Sequence, residues 1–172
     1  DNQPAVIQNP EALGNSWFVS EFKIVANADS EITAMTGFDP AQTAIVDKRF
    51  ETNLKGLSPK KDSAASVITL ESYKANELVY KSNNSGEGLA VFSEIYFENG
   101  WNAYVDGKLT PHFRANYVLR AMRIPAGEHK VEFKFEPAIY STGEKISYAS
   151  SAVLLLLVAG VGFMEWKKKS AV

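Results

Sequence analysis

The sequence predicts a mainly β protein: an antiparallel β-sandwich of the jelly-roll type, with one short helix near residues 30–37 and a C-terminal helix of the transmembrane type. Three observations support this. From residue 65 onward, short runs rich in β-branched and aromatic residues alternate with turns that contain glycine or asparagine. The short helix has a capping residue at its start and a glycine at its end. Residues 146–164 contain no charged residue.

The strand predictions rest on patterning. Trp17–Ala26 is rich in aromatic and β-branched residues and indicates one strand. Leu89–Glu98 is apolar on both faces in its first half, so we expect it in the centre of a sheet. Asp106-Gly107 lies between two extended runs and predicts a hairpin turn, because a type I′ turn needs positive φ at both central positions. His129–Glu136 alternates, which places Val131 and Phe133 toward the core.

The charge-free run of residues 146–164 suits one helical pass through a bilayer, which needs about 20 apolar residues. A lysine cluster directly after such a run is typical of the cytoplasmic side, and flanking aromatic residues are typical of the membrane interface. A buried core helix is the alternative, but small residues flank the leucines and there is no polar face. The predicted anchor residues are Tyr148, Leu154, Leu155, Leu156, Leu157, Trp166, Lys167, Lys168 and Lys169.

This pattern divides the 172-residue chain into an extracytoplasmic β-sandwich domain (1–145), a transmembrane helix (146–166) and a basic cytoplasmic tail (167–172). The net charge is −2; since Glu165 and the three lysines give the helix and tail together +2, the domain carries −4, and a basic footprint for nucleic acid is lacking. The chain has no cysteine, which excludes disulfides and thiolate metal sites. Because it opens at Asp1 with no export signal, we expect it to be a fragment of a longer membrane protein. Outside a bilayer, the apolar helix should make the fragment self-associate.

Catalytic patterns are not found in this sequence. His112 and His129 lie on different predicted strands and lack the spacing of a zinc site. Glu94 and Glu98 share a strand face but would lie about 13 Å apart, too far for the usual glycosidase pair. The sequence therefore predicts no catalytic residue, no metal ligand and no cofactor in this chain.

One segment combines aromatic and polar side chains in a way that suits a sugar or a lipid headgroup. An aromatic ring beside an arginine can stack on a sugar and hydrogen-bond to it. The alternative is that the aromatic side chains are core and that the two arginines pair with Glu94, Glu98 or Asp106. The candidate contact residues are Trp101, Tyr104, His112, Arg114, Asn116, Tyr117 and Arg120.

The stretch from Tyr96 to Pro137 resembles the C-terminal signature of the YfhO-like bacterial membrane proteins. The N-terminal piece NPEALGNSWFV, with Asp39-Pro40 and Thr43, is also similar to the family. The resemblance covers most of the chain. The matching positions are Glu94, Tyr96, Gly100-Trp101, Ala103 to Lys108, Arg114-Ala115-Asn116, Arg120-Ala121, Pro125-Ala126-Gly127, His129 and Pro137.

The resemblance implies the C-terminal extracytoplasmic domain and last transmembrane helix of a multi-pass protein of the bacterial cell membrane. The family's other helices resemble those of the C-class glycosyltransferases, which use polyprenyl-phosphate sugars and whose catalytic carboxylate would precede Asp1. The implied role is that of a non-catalytic accessory domain in cell-envelope glycan modification. Its implied partners are the bilayer, the upstream helices of the same protein, and an envelope glycan or lipid-linked sugar. The alternative is a singly anchored structural or carbohydrate-binding module with no linked enzyme.

Overall fold

The computed structural model describes residues 9–59 and 66–170, in two compact units, Asp1–Phe135 and Glu136–Val172. In chain order the elements are β1 (Ser16–Val19), β2 (Glu21–Val25), α1 (Ala28–Ala34), β3 (Thr43–Asp47), a 3-10 helix (Lys48–Leu54), β4 (Val67–Lys74), β5 (Glu77–Asn84), β6 (Gly88–Ile95), β7 (Trp101–Val105), β8 (Lys108–Thr110), β9 (His112–Ala115), β10 (Leu119–Ile124), β11 (Gly127–Phe135) and α2 (Ala138–Lys169).

Two antiparallel sheets form the sandwich of the first unit. The four-stranded sheet has the order β1-β6-β10-β9, and the five-stranded sheet has the order β4-β5-β11-β7-β8. Their facing side chains form one core, in which the Phe92 ring lies edge-on to Tyr80 and to Phe133, with both centroid distances 4.9 Å. The mainly β, antiparallel two-sheet prediction is therefore confirmed.

Strand β6 lies between β1 and β10 and is buried on both faces, as predicted from its apolar run. Ala90 and Phe92 face the core between the two sheets. Leu89 and Val91 face a second core, which β3 and the 3-10 helix cover. The period-2 alternation of side chains along a strand thus places one strand in both cores.

The turn at Asp106-Gly107 joins β7 to β8 with φ of +50° and +78°, which confirms the predicted hairpin. The predicted strand Trp17–Ala26 is divided instead. It breaks at Ser20, where the amides of Ser20 and Glu21 both donate to the Gln42 carbonyl, and the chain leaves the four-stranded sheet. The following strand, β2, then pairs in parallel with β3.

Helix α1 connects these two parallel strands, and it begins a little earlier than predicted. Asn27 is the N-cap, since its side-chain oxygen accepts from the Ser30 amide at 2.9 Å. The sequence pattern favours Asp29-Ser30 as the cap, and asparagine is an equally favourable N-cap residue. The resulting β-α-β unit was not predicted from the sequence.

The second unit contains α2, whose 32 residues correspond to about 48 Å of helix. Among the described residues it is the one helix long and apolar enough to cross a membrane, with a mean hydropathy of 2.0 in its most apolar window. Its leucines are exposed, and so are Tyr148, Trp166, Lys167 and Lys168. The Lys169 side chain lies outside the described part. Helix α2 starts eight residues before the predicted span, so it is longer than the part expected in lipid. The bounds of the membrane-spanning part stay a prediction.

Gly88, at the start of β6, occupies a position without room for a side chain. A Cβ there would lie 2.8 Å from two ring carbons of the buried Phe18 and closer still to the Asn84 amide. We expect Gly88→Ala to lower the free energy of unfolding by about 1–3 kcal/mol, the usual cost of overpacking. Chemical denaturation of the full chain in detergent measures this. Gly143→Ala is the control, since no atom lies within 4 Å of its Cβ position; equal stability of both variants would contradict the packing.

Candidate functional site

Arg114, on β9, is engaged in a buried ionic cluster. Its Nη2 donates to Glu31 Oε2 at 2.7 Å and lies 3.6 Å from Asp47 Oδ2. Glu31 is fully buried, and its other oxygen accepts from the Tyr117 amide at 2.9 Å. The alternative expected Arg114 to pair with Glu94, Glu98 or Asp106; the acids that it pairs with are instead Glu31 on α1 and Asp47 on β3. Arg114 is used to join these elements to the sandwich.

Asn116 joins the same two regions through backbone geometry. Its backbone amide donates to the Ile45 carbonyl, and its side-chain oxygen accepts from the Ile45 backbone amide, both at 2.8 Å. Asn116 and the following Tyr117 have φ of +48° and +67°, a left-handed conformation that asparagine tolerates better than most residues. In the Arg114-Ala115-Asn116 motif, both polar side chains therefore fix the packing of β3 against the turn that follows β9.

The Arg120 guanidinium packs over the Trp101 ring. The guanidinium carbon of Arg120 lies 4.2 Å from the Trp101 ring centroid, and its Nε donates to the Ile95 carbonyl at 3.0 Å. Burial lowers the pKa of Arg120 from its ordinary value. Such a desolvated cation over an indole ring contributes roughly 2 kcal/mol. The Trp101 ring also contacts Phe135 at 5.4 Å, so this pair closes one end of the inter-sheet core.

The remaining candidate contact residues differ in access. The His112 ring packs between Tyr96 and Phe133, and burial lowers its pKa to about 4, so the ring is neutral at pH 7. Tyr104 is half-buried, with the Lys134 ammonium 5.4 Å from its ring centroid. Tyr117 is exposed. Of the predicted contact residues, the two tyrosines are thus at least partly accessible to solvent. The side chains of Arg114, Asn116 and Arg120 instead make hydrogen bonds within the domain.

At the other end of the sandwich, Asp106 and His129 connect two turns. Asp106 Oδ2 lies 2.6 Å from His129 Nδ1, and the other imidazole nitrogen lies 3.0 Å from the Ala126 carbonyl. Because acceptors flank both ring nitrogens, the pKa of His129 is raised, and the pKa of Asp106 is lowered by the same hydrogen bond. Asp106 Oδ1 also accepts from the Lys130 amide at 2.9 Å.

An open cleft of about 630 Å³ borders this pair. Arg123 forms one wall; it is bidentate to Glu87, at 2.9 and 2.8 Å, and donates to the Lys55 carbonyl at 3.1 Å. The sequence analysis did not identify this cleft. A signal was present, since the family positions Asp106 to Lys108 and Pro125 to His129 converge there. The lining residues are Thr52, Asn53, Glu87, Val105, Asp106, Lys108, Leu109, Thr110, Pro111, Phe113, Arg123, Pro125 and His129.

Residues 9–59 and 66–170 contain no candidate metal-binding site. No group of three or more histidine, cysteine or acidic side chains is placed there to hold an ion.

The Asp106–His129 pair predicts a pH dependence. The stabilisation from charged His129 is complete below its ordinary pKa of 6.5 and is lost as pH rises through the raised value in the folded state. That from Asp106 is present above its ordinary 3.8 and is lost as pH falls through its lowered value. We expect Asp106→Asn to lower the His129 titration midpoint, followed by NMR of the ring protons, and to reduce the decline in stability above pH 6.5. His112 is the internal control, and an unchanged His129 midpoint would contradict the assignment.

Comparison with known protein families identifies the family of this chain. The model of the family described as bacterial membrane protein YfhO matches residues 50–147, more than half of the 172-residue chain. The matched region contains the whole cleft and strands β4 to β11, whereas Glu31 and Asp47 precede it. No curated protein and no solved structure matches. The resemblance found in the sequence is thereby confirmed over residues 50–147, and the chain, a membrane protein, belongs to the YfhO family.

Proposed function

We propose that residues 1–145 are a non-catalytic, extracytoplasmic accessory domain of a multi-pass glycosyltransferase-like membrane protein, and that its cleft contacts a cell-envelope glycan. The observation that carries the proposal is the cleft itself. Its lining combines apolar and polar side chains, and all of it lies within the residues that the model of a membrane protein family matches.

The proposed topology follows from the ends of α2. Lys167 and Lys168 are exposed at its C-terminal end, where a basic cluster favours the cytoplasmic side. Trp166 lies beside them and Tyr148 lies toward the other end, at positions that suit the two interfaces. The first unit then lies on the outer face of the membrane, where envelope polymers are.

The cleft has the composition expected of a sugar site. Leu109 and Pro125 offer exposed apolar surface for the C–H faces of a sugar ring, while Thr52 and Asn53 contribute hydrogen-bonding groups to the lining. Ligand sites commonly combine a mostly apolar lining with a few such polar groups.

The charges of the cleft favour a neutral or mildly anionic ligand. Glu87 neutralises Arg123, and Asp106 lies against His129. Lys108 contributes a further positive charge to the lining. Because both acids are already paired with cations, and the pKa of Asp106 is lowered, neither is suited to accept a proton as a general base. The geometry therefore supports binding rather than chemistry.

A second candidate function is a purely structural, membrane-anchored module. The observation that favours it is the internal use of the signature residues Arg114, Asn116 and Arg120, which hold the domain together. The two functions differ in whether the cleft surface matters once the fold is intact.

The test changes the cleft surface without touching the internal contacts. In the parent protein, Lys108→Ala/Leu109→Ala should reduce the sugar attached to the cells' envelope polymers several-fold, measured as sugar released from purified polymer by acid hydrolysis. The matched control is Tyr73→Ala/Lys74→Ala, because Tyr73 and Leu109 are both 62% exposed. Normal membrane levels of both variants establish folding. Wild-type sugar content in the cleft variant would overturn the glycan proposal and favour the structural module.

A further inference from the structure

Several large apolar side chains are exposed together at one end of the sandwich. Ile95 is 71% exposed and Phe97 is 53% exposed. Val118 and Tyr117, in the turn between β9 and β10, are also exposed. The two segments are in contact, because the Tyr96 amide donates to the Val118 carbonyl at 2.7 Å. We call Ile95, Phe97, Tyr117 and Val118 the apolar tip.

The tip lies at the end of the sandwich where the chain leaves the first unit. Strand β11 ends at Phe135, which is paired with Trp101, the first residue of β7. Residues 96–100 connect β6 directly to β7, so the end of β6, with Ile95, lies at the same end as Phe135. The cleft is at the opposite end, beside the turn at Asp106.

The length of chain between this end and the apolar run is short. Helix α2 begins three residues after Phe135, and its charge-free run begins at Ile146. Eight helical residues before Ile146 span only about 12 Å. With the predicted span of residues 146–166 in lipid, this short tether keeps the end of the sandwich that bears the tip near the membrane surface.

The tip's chemistry suits the membrane interface. Transfer of phenylalanine, isoleucine and valine side chains from water to the acyl boundary lowers the free energy, and tyrosine is enriched at headgroup level. Glu98 follows the tip directly, and its charge acts on Arg49, whose pKa is raised mainly by Asp47 and to a smaller degree by Glu98. Because none of the four tip side chains is charged and the acidic Glu98 adjoins them, zwitterionic headgroups fit the tip better than strongly anionic ones.

We propose that the apolar tip inserts into the interfacial region of the leaflet on its own side of the membrane and thereby fixes the first unit on the bilayer. The first unit would then contact the membrane through the tip as well as through its link to α2, which would limit rotation of the unit about that link. This inference needs neither the glycan ligand nor the direction of α2 across the membrane, so it stands or falls separately from the proposed function.

The absence of cysteine allows a direct test. A nitroxide label is attached at Phe97→Cys or, as control, at Leu109→Cys, which is also well exposed but at the opposite end. With the full 172-residue chain in phosphatidylcholine vesicles, collision rates with oxygen and with a water-soluble nickel complex report depth. We expect the label at 97 to show several-fold fewer nickel collisions than the label at 109, with more oxygen collisions.

Two outcomes would overturn the proposal. Equal nickel access at both positions would place the tip in water. Protection at 97 that rises with the protein-to-lipid ratio would assign the tip to contact with a second copy. Val118→Cys provides a second tip position, so that a folding defect specific to one variant does not decide the result; it should give the same depth profile as Phe97→Cys.

Discussion

The buried carboxylate of Glu31 is the interaction on which the first unit depends. A charge without access to water is tolerated only when it is paired and hydrogen-bonded, and here Arg114 and the Tyr117 amide meet both needs. Asp47 adds a second acid to the same guanidinium. Removing one member of such a cluster leaves an uncompensated buried charge, which typically costs about 3–5 kcal/mol. The β-α-β unit and the sandwich are therefore held together by charge as well as by apolar packing.

This arrangement divides the family signature into two parts. The positions around Arg114, Asn116 and Arg120 are used inside the domain, at the end where the chain leaves for α2. The positions around Asp106 and His129 shape two turns at the opposite end and border the cleft. A signature that looks uniform in sequence thus has one part that packs inside the domain and one part that borders the cleft.

Local patterns were sufficient for much of the fold. The alternation of side chains identified the core face of β11, the double apolar run placed β6 in the centre, and Asp106-Gly107 set a hairpin, because each depends on neighbouring residues only. Glu132 is the exception on β11: the alternation places it on the face opposite Val131 and Phe133, yet it is buried between Lys130 and Lys134.

Long-range partners could not be predicted in this way. Glu31 and Arg114 are 83 positions apart, and nothing in either segment indicates the other. The parallel pairing of β2 with β3 likewise follows from where the chain leaves the sheet at Ser20. The cleft is formed by four separate segments, so its composition emerges only from the fold.

A double-mutant cycle between Glu31 and Arg114 tests the central claim most directly. The free energy of unfolding is measured in detergent for the wild type, Glu31→Ala, Arg114→Ala and the double variant. We expect strong coupling of roughly 2–3 kcal/mol, with the double variant far less destabilised than the sum of the two single variants. Additive effects, within about 0.5 kcal/mol, would contradict the claim that this buried pair holds the two parts of the unit together.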